Sequence, residues 1–100
     1  MAYLIQTTQS VEDYIDAIAA LSESGKQALI AGYVNDLAEH ADQFLARYAL
    51  EHESFLFEYD YALVDGGIIY SFRFIVDGTN MPVGVLQVIY VDYETIPLPT

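Results

Sequence analysis

Apolar residues recur every three or four positions in a stretch near the start of the chain. On a helical wheel of about 100° per residue they fall within an arc of about 120°, and the set is Val11, Tyr14, Ile15, Ile18 and Leu21. Glu12, Asp13 and Asp16 lie on the opposite side of the wheel. Ser10 is of the residue type that helices prefer at the N-cap. The pattern predicts an amphipathic helix over residues 11–21 whose acidic side faces solvent.

A second helical stretch follows after a break at residues 22–25. Ser24 and Gln27 have the spacing of a capping box, which marks a helix start. The apolar positions span an arc of about 120°: Ile30, Tyr33, Val34, Leu37, Ala41, Phe44, Leu45 and Tyr48. Asp36, Glu39 and Asp42 lie across from them. This stretch predicts a second helix over residues 25–50.

From residue 55 the apolar period changes to two, which is typical of strands. The alternation predicts a strand over residues 55–63 with one apolar face, and similar segments predict strands over 68–76 and 85–93. A short apolar run predicts an opening strand over residues 3–7. We expect residues 95–100 to form a tail outside regular structure, because Pro97 and Pro99 lack the backbone N–H.

This order of elements predicts a single α+β domain over residues 1–100. Its expected architecture has two layers, with the N-terminal strand and a helical hairpin packed on a three- to four-stranded antiparallel sheet. In such a domain the helices cover only one face of the sheet. The composition agrees with a folded domain, because 54% of the 100 residues are hydrophobic, more than a disordered acidic chain contains.

The turn between the strands over 55–63 and 68–76 allows two registers. If residues 65–66 are the central turn residues, Tyr61 faces Tyr70 and Glu58 faces Arg73. If residues 66–67 are central, Asp60 faces Arg73 instead. Arg73 meets a carboxylate in both registers, so the sequence predicts a cross-strand charge pair among Glu58, Asp60 and Arg73.

The formal net charge of −12 excludes direct binding of nucleic acid. Fifteen acidic side chains stand against three basic ones, which are Lys26, Arg47 and Arg73, and these are too few to neutralise a phosphate backbone. Six acids map to the polar sides of the two predicted helices: Glu12, Asp13, Asp16, Asp36, Glu39 and Asp42. They form either a solubilising coat or a phosphate-like surface that occupies the basic groove of a nucleic-acid enzyme.

The chain has no cysteine, no long apolar run and no basic segment before residue 10. A thiolate nucleophile and a Cys-ligated metal are therefore excluded, and no segment approaches the roughly 18 apolar residues that span a bilayer. The start MAYLIQTTQ also lacks the features of a signal peptide. We expect a cytoplasmic protein that does not contact a membrane.

Residue pairs that could carry chemistry have simpler interpretations. Glu58 and Asp60 share a strand face with Cα atoms about 6.5 to 7 Å apart, but a solvated face is the commoner arrangement. Asp36 and His40 have an i, i+4 spacing that suits two metal ligands, with His52 and Glu53 nearest in sequence. Ser71 with His40 has no local motif in support. We expect no catalytic residue, no metal and no cofactor.

Nine tyrosines are the remaining unusual feature. Tyrosines on an uncovered sheet face would make a protein-binding surface, because the ring offers contact area at low entropic cost. Alternatively, most of them line the core with their hydroxyls at its rim. The candidates for the binding surface are Phe57, Tyr59, Tyr61, Tyr90 and Tyr93.

The order strand, helix, helix and three strands, together with the segments YSFRFIVDG and VLQVIYVDYE, resembles the RelE/ParE toxin superfamily over residues 3–94. The resemblance implies a toxin-like fold and, in ribosome-dependent members, cleavage of messenger RNA by basic and aromatic side chains. Here the corresponding segment reads Val91-Asp92-Tyr93-Glu94, and only Arg73 and Tyr93 match. Acidic residues stand where the toxins carry basic ones, so we expect no ribonuclease activity.

The sequence thus favours a non-catalytic protein-binding domain. Its expected partner is a protein target, a cognate antitoxin or a second copy of the chain in a homodimer. The alternative is an acidic, nucleic-acid-mimicking inhibitor, of the kind that phages and mobile elements encode, directed at a DNA- or RNA-binding enzyme.

Overall fold

A computed structural model describes residues 3–51, 56–78 and 84–97, with the backbone alone for Asp42 and residues 44–51. Its elements are β1 (Leu4–Thr7), α1 (Gln9–Asp16), α2 (Glu23–Glu51), β2 (Leu56–Asp65), β3 (Ile68–Asp77) and β4 (Val85–Pro97). The predicted α+β class is confirmed. His52, Glu53 and Phe55 lie outside the described residues.

The four strands form one sheet in the order β1-β4-β3-β2. β2, β3 and β4 are antiparallel neighbours, as predicted, whereas β1 pairs with β4 in parallel over Leu4–Thr7 and Val85–Val88. The sheet is therefore mixed and not wholly antiparallel. Both helices and the β2–β3 hairpin lie between β1 and β4 in the chain. Parallel neighbours require such a long connection, because a tight turn can join only antiparallel strands.

The β2–β3 turn has Gly66 and Gly67 as its central residues, with φ of 59° and 78°. A tight two-residue turn that needs positive φ at both central positions suits two glycines better than Asp65 followed by Gly66. The register centred on residues 65–66 is therefore wrong, and Asp60 lies opposite Arg73. Glu58 lies opposite Ile75.

α1 is shorter than predicted and begins earlier. Its N-cap is Thr8, which makes no side-chain capping bond, so the prediction of Ser10 as the cap is wrong. Beyond Asp16 the chain continues in tight turns, in which the Ile18 N–H donates to the Ile15 carbonyl and the Leu21 N–H donates to the Ile18 carbonyl. These turns still bury Ile18 and Leu21, so the apolar periodicity located the core side chains correctly although not the helix end.

α2 begins two residues before the predicted start because Ser22, and not Ser24, caps it. The Ser22 hydroxyl oxygen accepts a hydrogen bond from the Gly25 N–H at 3.0 Å, in the manner of an N-cap. The Ser22 N–H and hydroxyl both donate to the Asp65 carboxylate, each at 3.0 Å. The end of β2 is thereby tied to the start of α2.

β4 continues through Pro97, so the prediction that residues 95–97 lie outside regular structure is wrong. Pro97 lies opposite Ile68 of β3. Among the described strands β1 pairs with β4 only as far as Val88, and a proline is tolerated where one side of a strand lacks a partner strand. Residues 98–100 lie outside the described residues.

The core lies between the helices and one face of the sheet. In α2 the most deeply buried side chains are four residues apart, at Leu29, Tyr33, Leu37 and Ala41. The wheel omitted Leu29, and it included Ile30, which is 42% exposed. From the sheet the buried side chains are Phe57, Tyr59, Tyr70, Phe72, Phe74, Val76, Leu86, Val88 and Val91.

Candidate functional site on the open sheet face

The face of the sheet away from the helices has no described element packed on it. Because successive side chains of a strand alternate between faces, the buried Phe57 and Tyr59 place Glu58 and Asp60 on this open face. The strand registers add the neighbours on β3 and β4. We call this set the open face, and it comprises Leu56, Glu58, Asp60, Ala62, Val64, Ile69, Ser71, Arg73, Ile75, Asp77, Gln87, Tyr90, Asp92, Glu94 and Ile96.

Charged side chains occupy the middle of the open face. Arg73 lies opposite Asp60 on one side and Asp92 on the other. Its Nε is 4.0 Å from Asp60 Oδ1, and both side chains are largely exposed. The cross-strand charge pair predicted for Arg73 is thus formed with Asp60 and not with Glu58.

A shallow cavity of about 290 Å³ surrounds Arg73 and is lined by Asp60, Ser71, Arg73, Asp92, Tyr93 and Glu94. Three carboxylates and one guanidinium give this lining a net charge of 1 − 3 = −2. The cavity therefore favours a cationic group over an anionic one. A phosphate would meet more negative than positive charge there.

Apolar side chains lie on both sides of the charged row. On one side Val64 and Ile96 are 60% and 51% exposed, with Ile69 between them in register. On the other side Tyr90 is 50% exposed, and its hydroxyl donates to Asp92 Oδ2 at 3.3 Å. The open face thus combines an acidic centre with apolar flanks.

Two of the five aromatic residues predicted to form a binding surface lie in the core. Phe57 and Tyr59 are 1% and 3% exposed, so their predicted place on an uncovered face is wrong. Tyr61 and Tyr93 are half-buried on the helix-covered face, where the Tyr93 ring lies 6.0 Å from that of Tyr70. Tyr90 does lie on the open face.

Several tyrosines place the ring in the core and the hydroxyl on a polar partner. Tyr33 shares a hydrogen bond of 2.9 Å with Thr7. The Tyr70 hydroxyl donates to the carbonyl of Ala20 at 3.3 Å. The second interpretation of the tyrosines, as core residues with hydroxyls at its rim, therefore describes these residues.

Asp36 and His40 lie together on α2, as their spacing predicted. His40 Nε2 is 3.6 Å from Asp36 Oδ1, and the Tyr59 hydroxyl donates a short hydrogen bond to Asp36 Oδ2. Burial of the ring and then the adjacent Asp36 carboxylate raise the pKa of Tyr59 above its ordinary value. Within the described residues no three His, Asp or Glu side chains come together as a metal site would need.

The acidic residues predicted on the helices do not form one uniform surface. Glu12, Asp13, Asp16 and Glu39 are exposed, whereas Asp36 is half-buried and engaged by Tyr59. The side chain of Asp42 lies outside the described part of the chain. Whether these carboxylates imitate phosphates stays a prediction.

The suggested Ser71 and His40 pair is not assembled. Ser71 is exposed on the open face of β3, whereas His40 lies on α2 in the helix layer on the other side of the sheet. Glu58 and Asp60 do share the open face. Both carboxylates are exposed there.

Asp92 and Glu94 line the cavity around Arg73 and are not among the site residues predicted from the sequence. They alternate with Val91 and Tyr93, which are buried and half-buried on the covered face. That alternation was a signal that both carboxylates point to the open face.

Comparison with models of protein families, with curated proteins and with solved structures found no match to this chain. Over the described residues, neither helix is both long enough and apolar enough to cross a bilayer.

Proposed function

We propose that this chain is a non-catalytic protein-binding domain that docks a partner protein on its open face. The observation that carries the proposal is the exposure of Val64, Tyr90 and Ile96 around an acidic cavity. Single exposed apolar side chains are common on protein surfaces. Several exposed apolar side chains on one sheet face with no described cover are a feature of interaction surfaces.

The charge of the open face indicates the chemistry of the partner. Arg73 is already flanked by Asp60 and Asp92, and Glu94 adds further negative charge to the cavity. A Lys or Arg side chain of the partner would enter this cavity while apolar side chains of the partner contact Tyr90 and Ile96. The net charge of −12 would also speed the association with a basic protein.

The resemblance to RelE/ParE toxins makes a cognate antitoxin or a protein target the first partners to test. A second candidate function is inhibition of a nucleic-acid enzyme through the helix acids. The exposure of Glu12, Asp13, Asp16 and Glu39 favours this candidate. In this second candidate function the partner contacts the helix layer and not the open face.

The test begins with capture of partners by the tagged full chain, followed by titration of each purified partner. Tyr90→Ala and Ile96→Ala should each weaken binding by about tenfold, as expected when an apolar side chain buried by a partner is truncated. Ile30→Ala is the matched control, because Ile30 is 42% exposed but lies on α2. It should leave the dissociation constant within about twofold.

Charge reversal separates the two candidate functions. If the protein acts as a nucleic-acid mimic, Glu12→Lys combined with Glu39→Lys should abolish binding and Tyr90→Ala should not affect it. That result would overturn docking on the open face. A partner whose affinity changes with neither set of substitutions would contradict both candidates.

A further inference from the structure

The outer side of β2 is a long and regular sheet edge. β2 pairs with β3 over ten successive residue pairs without a register shift, and no described strand lies on its other side. α2 lies above the strand and not beside it, because Tyr59 and Tyr61 meet α2 at Asp36 and Gly32 through the covered face. β2 also contains no proline, lysine or bulge, three devices by which proteins protect sheet edges.

The hairpin geometry shows which backbone groups face outward. In a two-residue turn the closing pair, here Asp65 and Ile68, is hydrogen-bonded across the strands. Because hydrogen-bonded pairs alternate along antiparallel strands, every second residue of β2 directs its N–H and C=O away from β3. These residues are Leu56, Glu58, Asp60, Ala62 and Val64.

Side chains on the two faces of this edge differ in character. On the open face Glu58 and Asp60 lie at its middle. On the covered face Tyr61 and Leu63 are only half-buried, so part of each apolar side chain stays accessible. A strand placed beside β2 would therefore alternate between acidic and apolar surroundings.

We propose that the outer edge of β2 accepts an extended segment of a partner protein in which cationic and apolar residues alternate. Its backbone pairs with β2, its Lys or Arg side chains face Glu58 and Asp60, and its apolar side chains pack on Tyr61 and Leu63. Opposite charges in adjacent strands stabilise the pairing, and strand addition to a free edge is a common mode of peptide recognition. This inference rests on the proposed protein-binding function and names the chemistry of the partner.

Charge complementarity favours a basic segment over a second copy of this chain. Two β2 strands paired antiparallel through their middles would bring Glu58 and Asp60 of one copy beside those of the other. Like charges in adjacent strands are destabilising, and each copy carries a net charge of −12. The same carboxylates that attract a basic strand therefore oppose self-association.

A synthetic peptide of alternating Lys and Val tests the inference directly. We expect it to bind the full chain at low ionic strength and to slow hydrogen exchange of the outward N–H groups, among them those of Glu58, Asp60 and Ala62. Two control peptides have the same sequence with N-methyl groups on the backbone nitrogens of alternate residues. One is methylated at the odd-numbered residues and the other at the even-numbered residues. Methylation keeps the charge but removes N–H donors. The peptide whose methyl groups face β2 should therefore bind about tenfold more weakly. Equal binding of all three peptides would overturn strand addition.

Charge reversal locates the binding site on the protein. Glu58→Lys should weaken peptide binding by about five- to tenfold, because a favourable cross-strand pair becomes a repulsive one. Glu23→Lys is the matched control, since it makes the same charge change at an exposed position at the start of α2, away from the open face. Equal losses in the two variants would show attraction by net charge alone and would overturn the inference.

Two further outcomes separate this inference from the proposed function. If a partner needs Tyr90 but the peptide does not slow exchange at β2, the edge inference fails and docking on the open face stands. If the peptide pairs with β2 but no captured partner depends on Tyr90, docking on the open face fails. Concentration-dependent protection of the β2 edge without peptide, together with a dimer in sedimentation, would identify a second copy as the occupant and overturn the basic segment.

Discussion

The side chain of Tyr61 in β2 lies close against Gly32 of α2, and this contact makes Gly32→Ala a sharp test of the packing. Gly32 lies inside α2, where the Tyr61 ring points at it from β2. A Cβ atom at this position would lie 3.2 Å from Tyr61 Cε1, 2.5 Å from Cζ and closer still to the hydroxyl oxygen. The ring would have to move to make room for a methyl group.

Two opposing effects set the magnitude. Alanine is favoured over glycine inside a helix by about 1 kcal/mol. Forcing an extra methyl group into a filled space costs about 1 to 3 kcal/mol. Gly32→Ala should therefore lower the free energy of unfolding by between zero and about 2 kcal/mol. In a Tyr61→Ala background the clash is absent, so Gly32→Ala should raise the free energy of unfolding by about 1 kcal/mol.

Urea unfolding followed by circular dichroism measures all four variants of this double-mutant cycle. The expected coupling between the two sites is about 1 to 3 kcal/mol. Ala31→Gly is the control, because Ala31 is the exposed neighbour in α2 and should cost about 1 kcal/mol in both backgrounds. If Gly32→Ala stabilises the protein equally with and without the Tyr61 ring, α2 does not lie against β2 as described.

Three further predictions concern polar contacts. Asp65→Ala removes both hydrogen bonds from Ser22 and should lower the free energy of unfolding by about 1 to 2 kcal/mol in urea titration; no change would mean that the link between β2 and α2 carries no stability. Tyr59→Phe removes the hydrogen bond to Asp36 and should lower the free energy of unfolding by about 1 kcal/mol in the same assay. A higher free energy of unfolding would show that this hydrogen bond does not stabilise the fold. The pKa of Tyr59 is raised in the folded chain, so its contribution is complete below the unfolded value of about 10 and is lost as pH rises above it. The stability of the wild type should therefore fall more steeply above pH 10 than that of Tyr59→Phe, and parallel profiles would exclude this linkage.

The layers of the fold could be predicted because each depends on a local pattern. Alternation in β2 and β3 and the helical periods earlier in the chain place most of the core residues correctly. The partner of β1 could not be found in this way. A strand of four residues carries too little pattern to specify that Leu4 pairs with Val85, 81 residues later, or in which direction the two strands run.

The two possible turns predict different registers for the β2–β3 hairpin, but they place each side chain on the same face of the sheet. Moving the turn by one residue shifts the pairing by two residues, so every side chain keeps its face. The composition of the open face is therefore the same in both registers. What changes is which residues lie opposite each other, so that Arg73 faces Asp60 and not Glu58. Asp92 was harder to place opposite Arg73, because a bulge at Ile75/Val76 shifts the register of β3 with β4.

The sequence makes Phe57 and Tyr59 candidates for an exposed surface, but both belong to the apolar face of β2, and the helices cover that face. The rings of Tyr59, Phe72 and Phe74 stand on one face and pack against one another, with centroids 6.0 to 6.1 Å apart. Burying several rings contributes more to stability than is lost by removing one tyrosine hydroxyl from water. The Tyr59 hydroxyl also donates a hydrogen bond to Asp36 at the rim of the core, which offsets that loss. The helices therefore cover the aromatic face and leave the acidic one open.

This choice of face gives the acidic residues a second role in the proposed function. A sheet that exposes Val64, Tyr90 and Ile96 beside a ten-residue edge with no described strand on its outer side has the features that promote association between identical copies. Glu58, Asp60 and Glu94 stand among these features on the same face. Their charge repels another acidic copy but attracts a basic segment, so one set of carboxylates would keep the free protein monomeric and select its partner. Neutralising them should therefore both weaken partner binding and promote self-association, and a variant that loses the partner yet stays monomeric would separate these two roles.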